Sequence, residues 1–170
     1  MTGEHTPATA WPPREAPIAA GDTAPDFELP AIDAAGSTST LRLAEARAAG
    51  PVLLIFYQDD GMPICTSALK AFAQEHDLLA GAAVRVFGIN TNGTGSHAKF
   101  QERDHFPFPL LSDFHGEVVK AFGLWDADEG KSVRALVVVG ADGVVKHAQP
   151  HFNPGNVTAF EEVFRALGLA

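Results

Sequence analysis

Apolar positions along the chain fall into two patterns. Continuous runs stand at Val52 to Tyr57, Val84 to Asn90 and Arg134 to Val139. They are too short for globular helices and rich in branched and aromatic side chains, which predicts buried strands. Three other stretches repeat apolar residues at helical spacing. One carries Leu69, Phe72, Ala73, His76 and Leu79 and runs to about Ala80-Gly81. A second carries Val118, Val119 and Phe122 and stops at Gly123, and a third carries Val157, Phe160, Val163, Phe164 and Leu167. Each predicts a helix with one buried face. Ser96 is the expected N-cap of a further helix through about His105, Asp113 or His115 opens the second of the three, and Leu41 to Ala49 reads as a short helix closed by Gly50. Ala141-Asp142-Gly143 is a hairpin turn leading to a return strand, Val144 to Ala148, and Trp125 to Ser132 reads as a charged loop.

The order strand–helix–strand–helix–helix–hairpin–helix predicts an α/β fold in which helices flank a central mixed sheet. Right-handed crossovers bring the start of the first long helix to the carboxyl edge of the first central strand. Residues 21–170 are expected to form this single domain. Residues 1–20, rich in Pro, Ala and Thr, read as a flexible or loosely docked arm rather than a secretory leader, since Glu4 comes early and no continuous apolar core follows. Trp11 is the residue in this arm suited to anchoring it in a groove. No apolar run approaches the roughly 20 residues of a membrane span. The formal charge of −9 argues against nucleic acid or an anionic membrane surface as a partner.

Candidate chemistry concentrates in Pro51 to Phe72, which holds Cys65, the chain's only cysteine. A single cysteine excludes an internal disulfide, a CxxC redox pair and a cysteine-based zinc site, and a free thiol suits a cytoplasmic location. Pro63 fits a first helical turn, where its missing N–H would have no intrahelical partner. Cys65 therefore falls in the opening turn of a helix that follows a central strand. Free N–H groups and the positive end of the helix dipole favour an anion there, hence a nucleophilic thiolate. Asp59 and Asp60 oppose ionisation if they point inward. A buried structural cysteine is the competing reading, since cysteine is among the most often buried residues. The histidines offer less. His147 and His151 read as solvated, His115 as a cap and His76 as a core or boundary residue, and nothing places a histidine beside Cys65.

Four segments together resemble the peroxiredoxins, thioredoxin-fold thiol peroxidases, and within them the bacterioferritin-comigratory, atypical branch. They are Gly21 to Leu29, Val52 to Thr66, Phe106 to Asp113 and Arg134 to Gly143. The resemblance implies a thioredoxin-like fold over about Gly21 to Gln149, with Cys65 as peroxidatic cysteine and Arg134 as the arginine that completes the site. It places Tyr57, Gln58, Met62, Pro63 and Thr66 in the substrate pocket. Neither cofactor nor metal is implied, and a homodimer is possible. Two motif positions depart from the family's Pro-x-x-x-Thr/Ser-x-x-Cys pattern: Gln58 stands at the proline and Met62 at the threonine. Methionine offers a weak acceptor sulfur and no donor in place of the hydroxyl that holds the peroxide. Lys70 occupies the position where many relatives of this branch carry a resolving cysteine.

The resemblance thus implies a one-Cys peroxidase that reduces hydrogen peroxide or organic hydroperoxides through a Cys65 sulfenic acid. Its activity is expected to be lowered or altered by Met62, and an external thiol or redoxin serves as reductant. Two further readings stand beside it. One is a non-catalytic binding or regulatory protein on the same fold, and the other is a different thiol reaction on the same scaffold.

Overall fold

The computed structural model describes residues 5–169. Nine strands run β1 Glu28–Ile32, β2 Thr38–Arg42, β3 Val52–Phe56, β4 Arg85–Asn90, β5 Leu110–Ser112, β6 Trp125–Asp126, β7 Lys131–Ser132, β8 Ala135–Val139 and β9 Val145–Pro150. The helices are α1 Leu43–Ala46, α2 Pro63–Gln74, α3 His76–Gly81, α4 Thr94–Asp104, α5 Glu117–Ala121 and α6 Val157–Ala166. Seven strands make one mixed sheet in the order β2-β1-β5-β4-β3-β8-β9. β3, β4 and β5 are mutually parallel, while β8 runs antiparallel to β3 with Phe56 opposite Ala135. This is a thioredoxin-like sheet flanked by helices, as the strand and helix periodicities predict.

Alternation along β3 divides the core. Val52, Leu54 and Phe56 join a cluster with Leu43, Val118, Val119 and Phe122, whereas Leu53, Ile55 and Tyr57 join one with Cys65, Leu69, Phe72, Leu79, Phe100 and Val163. Every residue of β3 is buried, which explains why its sequence is continuously apolar rather than alternating. Phe72 of α2 packs its ring on Phe160 of α6, with centroids 4.8 Å apart. The Cys65 helix is thereby clamped between the sheet and the C-terminal helix.

Several expected boundaries shift for identifiable reasons. Leu41 belongs to β2, and the helix after it is confined to Leu43–Ala46. Asp33 Oδ1 accepts from the amides of Ala35 and Ser37, closing a turn that folds Thr38-Ser39-Thr40 back along β1. The long helix from Pro63 breaks at Glu75 into α2 and α3. Gly93 rather than Ser96 caps α4, and Gly116 rather than Asp113 or His115 precedes α5. The charged loop contains the short β6–β7 hairpin.

Met1 to Glu4 lie outside the described residues. The rest of the arm runs beside α5: Arg14 and Ile18 donate from their amides to the carbonyls of Lys120 and Phe122. Ile18 is the arm's buried apolar residue, while Trp11 is exposed. Gly123 makes this approach possible, because a Cβ there would stand 2.1 Å from the Ala16 carbonyl oxygen at a backbone φ of +72°.

Asp113, at the end of β5, is enclosed and accepts from the Val119 amide at 2.8 Å. Burial pushes its carboxyl up to about 6, against the lowering effect of the Val118 and Val119 amides. The folded protein therefore holds this proton to a higher pH than the unfolded chain does. The contribution of Asp113 to stability is therefore complete below about pH 4 and is lost, by about 3 kcal/mol, as the pH rises through 6, at about 1.4 kcal/mol per unit of displacement. Asp113→Asn keeps an acceptor for Val119 and should flatten this slope, as urea melts between pH 4 and pH 7 would reveal. A slope identical to that of the parent protein would refute the assignment.

Candidate active site

β3 ends at Phe56, and the loop from Tyr57 to Met62 carries the chain to Pro63, the first residue of α2. Gly61 takes φ +78°, a left-handed conformation in which its lack of a Cβ avoids strain, and this turns the loop into the helix. Cys65 then lies in the first turn, with its side chain directed back toward the end of β3. Its residue has 0% solvent exposure.

Three groups meet the sulfur. The Gln58 amide N–H donates to Sγ at 3.4 Å, the thiol donates to Gln58 Oε1 at 3.5 Å, and Met62 Sδ lies 3.8 Å away. Arg134, which immediately precedes β8, donates from Nη1 to the same Gln58 Oε1 at 2.7 Å and from Nε to the Phe152 carbonyl at 3.1 Å. A guanidinium carries only donors, so this short bond fixes which end of the Gln58 side chain faces the arginine. Gln58, at the position where the resemblance expects proline, thus links Arg134 to Cys65 through its side chain while its own backbone N–H addresses the sulfur.

The remaining expected residues divide. Pro63 occupies the first helical position and is exposed. Thr66 donates its hydroxyl to the Met62 carbonyl at 3.0 Å, so that hydroxyl is engaged with the backbone of its own helix. Tyr57 is fully buried and donates to Asp60 Oδ1 at 2.7 Å. Its phenol is held well above its ordinary value by burial first, and then by the Asp60 charge and hydrogen bond.

Neither loop carboxylate is hydrogen-bonded to the thiol. Asp59 pairs with Lys131 at 2.5 Å and accepts from Asn92. Asp60 sits at the centre of a buried polar network. It accepts from Tyr57, from Ser96 Oγ at 2.7 Å and from Asn90 Nδ2 at 3.2 Å, and it faces His97 Nδ1 at 2.7 Å. His97 Nε2 lies 2.9 Å from the Leu111 carbonyl, and the His97 side chain is wholly enclosed. Both ring nitrogens thus face oxygens. Burial alone would raise the Asp60 carboxyl, but the hydrogen bond and charge of His97, with the Tyr57 and Ser96 hydroxyls, hold it below the ordinary value.

His97, Asn90, Asn92 and Ser96 were not among the residues that sequence reasoning selected for the site. The available signal was topological. β3 and β4 are parallel neighbours, so the Asp59-Asp60 loop and the Asn90-to-Asn92 loop leave the sheet side by side at its carboxyl edge. Of the other histidines, His115 packs its ring on His5 at 3.9 Å between centroids, and His147 faces Gln149 at 3.4 Å. Among the described residues, no group of three His, Cys, Asp or Glu is arranged to hold a metal ion, and no helix is long and apolar enough to cross a membrane. A cavity of about 660 Å³ lies between the arm, β1 and the start of α4, and its lining includes neither Cys65 nor Arg134.

The AhpC/TSA family matches residues 20–148, a span that contains the whole cysteine–glutamine–arginine constellation. The chain belongs to the AhpC/TSA peroxiredoxins. Peroxiredoxin Bcp of Escherichia coli is 32% identical over 146 residues, covering 82% of this chain and 90% of that protein. The crystal structure of peroxidoxin BcpB from Mycobacterium tuberculosis superposes with a TM-score of 0.77 at 30% identity, covering 89% of this chain and 97% of that one. The chloroplastic 2-Cys peroxiredoxin BAS1 of Spinacia oleracea is 27% identical over 154 residues, and the chain spans 57% of that relative's length.

Proposed function

We propose that the protein is a one-Cys thiol peroxidase acting on hydrogen peroxide or organic hydroperoxides. The observation that carries this reading is the linkage of Arg134 to Cys65 through Gln58, which brings both side chains onto one oxygen atom. The Cys65 thiolate attacks the nearer peroxide oxygen, and the farther oxygen leaves as hydroxide or alkoxide. Cys65 becomes a sulfenic acid. With no second cysteine in the chain, an external thiol or redoxin condenses with the sulfenic acid, releasing water, and a second thiol frees Cys65.

Arg134 supplies the fixed positive charge for the developing anion and holds Gln58 in register. The Gln58 backbone N–H is the donor already aimed at the sulfur. At position 62 the side chain donates nothing, and the Thr66 hydroxyl is turned to a carbonyl. Restoring a donor with Met62→Thr should raise the rate of Cys65 oxidation by about 10²-fold, in line with the effect of one aimed donor. Stopped-flow fluorescence with hydrogen peroxide and with cumene hydroperoxide would measure it, with Cys65→Ser as control. Equal rates for the parent and the variant would refute the role assigned to position 62.

The complete enclosure of Cys65 favours, as a second reading, a binding or regulatory protein on this fold. The same kinetics separate the two. Oxidation no faster than that of free cysteine by every peroxide would remove the peroxidase reading.

A further inference from the structure

We propose that Met62 accepts the oxidising equivalent from oxidised Cys65, so that it leaves the buried thiol on an exposed methionine. This rests on the peroxidase reading above and replaces direct attack of an external thiol on Cys65 with a route through Met62. Cys65 exposes no surface, and its sulfur touches Gln58 and Met62. Of these contacts, Gln58 is half-buried and Met62 is the more exposed, at 37%, while its Sδ stands 3.8 Å from Sγ. Two sulfurs at this separation are in van der Waals contact. A thioether, unlike the threonine expected at this position, is a nucleophile toward a sulfenyl sulfur. An external thiol would have to reach an enclosed atom. A reductant acting on Met62 would not.

The chemistry balances without another oxidant. Peroxide first converts Cys65 to the sulfenic acid. The Met62 sulfur lone pair then attacks Sγ, the S–O bond breaks, and the hydroxyl leaves as water after taking up one proton. A Cys65–Met62 thiosulfonium remains. Water attacks Sδ, the S–S bond breaks with its electron pair going to Sγ, and two protons are released, one of which restores the Cys65 thiol. Sγ is reduced by two electrons and Sδ is oxidised by two, to the sulfoxide. The sulfoxide oxygen therefore comes from solvent water rather than from the peroxide. Contact between the two sulfurs supplies the proximity that makes this compete with slow external reduction.

One equivalent of hydrogen peroxide in ¹⁸O-labelled water tests this on the full chain. Peptide mass spectrometry locates the oxygen, dimedone traps sulfenic acid, and a thiol reagent counts free Cys65. Met62 is the only methionine besides Met1, so the assignment is unambiguous. The parent protein should yield ¹⁸O-labelled sulfoxide at Met62 with the Cys65 thiol recovered. Met62→Leu should instead accumulate dimedone-reactive Cys65, and Cys65→Ser should oxidise Met62 roughly 10²-fold more slowly, at the rate of an unassisted thioether. Persistent sulfenic acid in the parent beside unmodified Met62 would overturn the relay and leave the peroxidase reading standing. Sulfoxide carrying peroxide oxygen, or formed equally fast in Cys65→Ser, would also overturn it. A Cys65 that stays reduced in both the parent and Met62→Leu would remove both readings.

Discussion

His97→Ala is expected to destabilise the protein by about 3–5 kcal/mol, the usual cost of leaving a buried charge without its partner. The His97 side chain is fully enclosed and its Asp60 partner nearly so, with 6% exposed. The substitution strands a buried carboxylate that still accepts from Tyr57, Ser96 and Asn90, and it leaves the Leu111 carbonyl without its ring partner. It also loosens the loop that carries both Gln58 and Met62, so the rate of Cys65 oxidation should fall under conditions where the variant remains folded. Urea melts give the stability term, and a double-mutant cycle with Asp60→Asn isolates the pair. A loss below about 1 kcal/mol would place this interaction in the range of surface ion pairs and refute its buried role. The acid dependence has a definite sign. Asp60 is held below its ordinary value in the folded state, so its contribution is complete above the unfolded carboxylate range, near pH ~4, and is lost as the pH falls through the folded value.

Arg134→Ala should slow oxidation of Cys65 by about 10²–10³-fold, the magnitude found when a preorganised electrostatic donor is removed. The alanine removes the charge and frees Gln58 Oε1, which the guanidinium holds at 2.7 Å. Arg134→Lys keeps the charge but cannot hold Gln58 Oε1 and the Phe152 carbonyl together in the same planar geometry, so it should recover part of the rate. Gln58→Ala should resemble Arg134→Ala if the amide transmits the arginine's effect. Stopped-flow rates for the four proteins decide this. A normal rate in Arg134→Ala would show that the guanidinium is structural.

The strands and the Cys65 helix were legible because their signals are local. Val52 to Tyr57 is apolar without interruption, and Pro63 marks the first turn of α2. The edge hairpin was hidden because Thr38-Ser39-Thr40 is polar and takes its strand conformation from pairing with β1. The break at Glu75 leaves the apolar stripe running into α3, so periodicity alone did not disclose it. Within the site, Cys65 and Arg134 were marked by their positions in recognisable segments. The link made by Gln58 was not, since it is a bond to a residue 76 positions away. Asp60 read as a charge opposing ionisation because no sequence pattern reveals that a histidine on α4 meets it. Ser96 was read as a helix cap, and its hydroxyl turned instead to that same carboxylate.

On the peroxidase reading, the pairing of β3 with β8 also sets when the thiol meets its partners. Gln58 follows one of these strands and Arg134 precedes the other, and Phe56 meets Ala135 only once both strands are in the sheet. A chain emerging from the ribosome presents Cys65 long before Arg134 has been made. During synthesis, therefore, this residue should react with peroxide as an ordinary cysteine, and its tuned reactivity should appear together with the slow, non-local closure of the sheet.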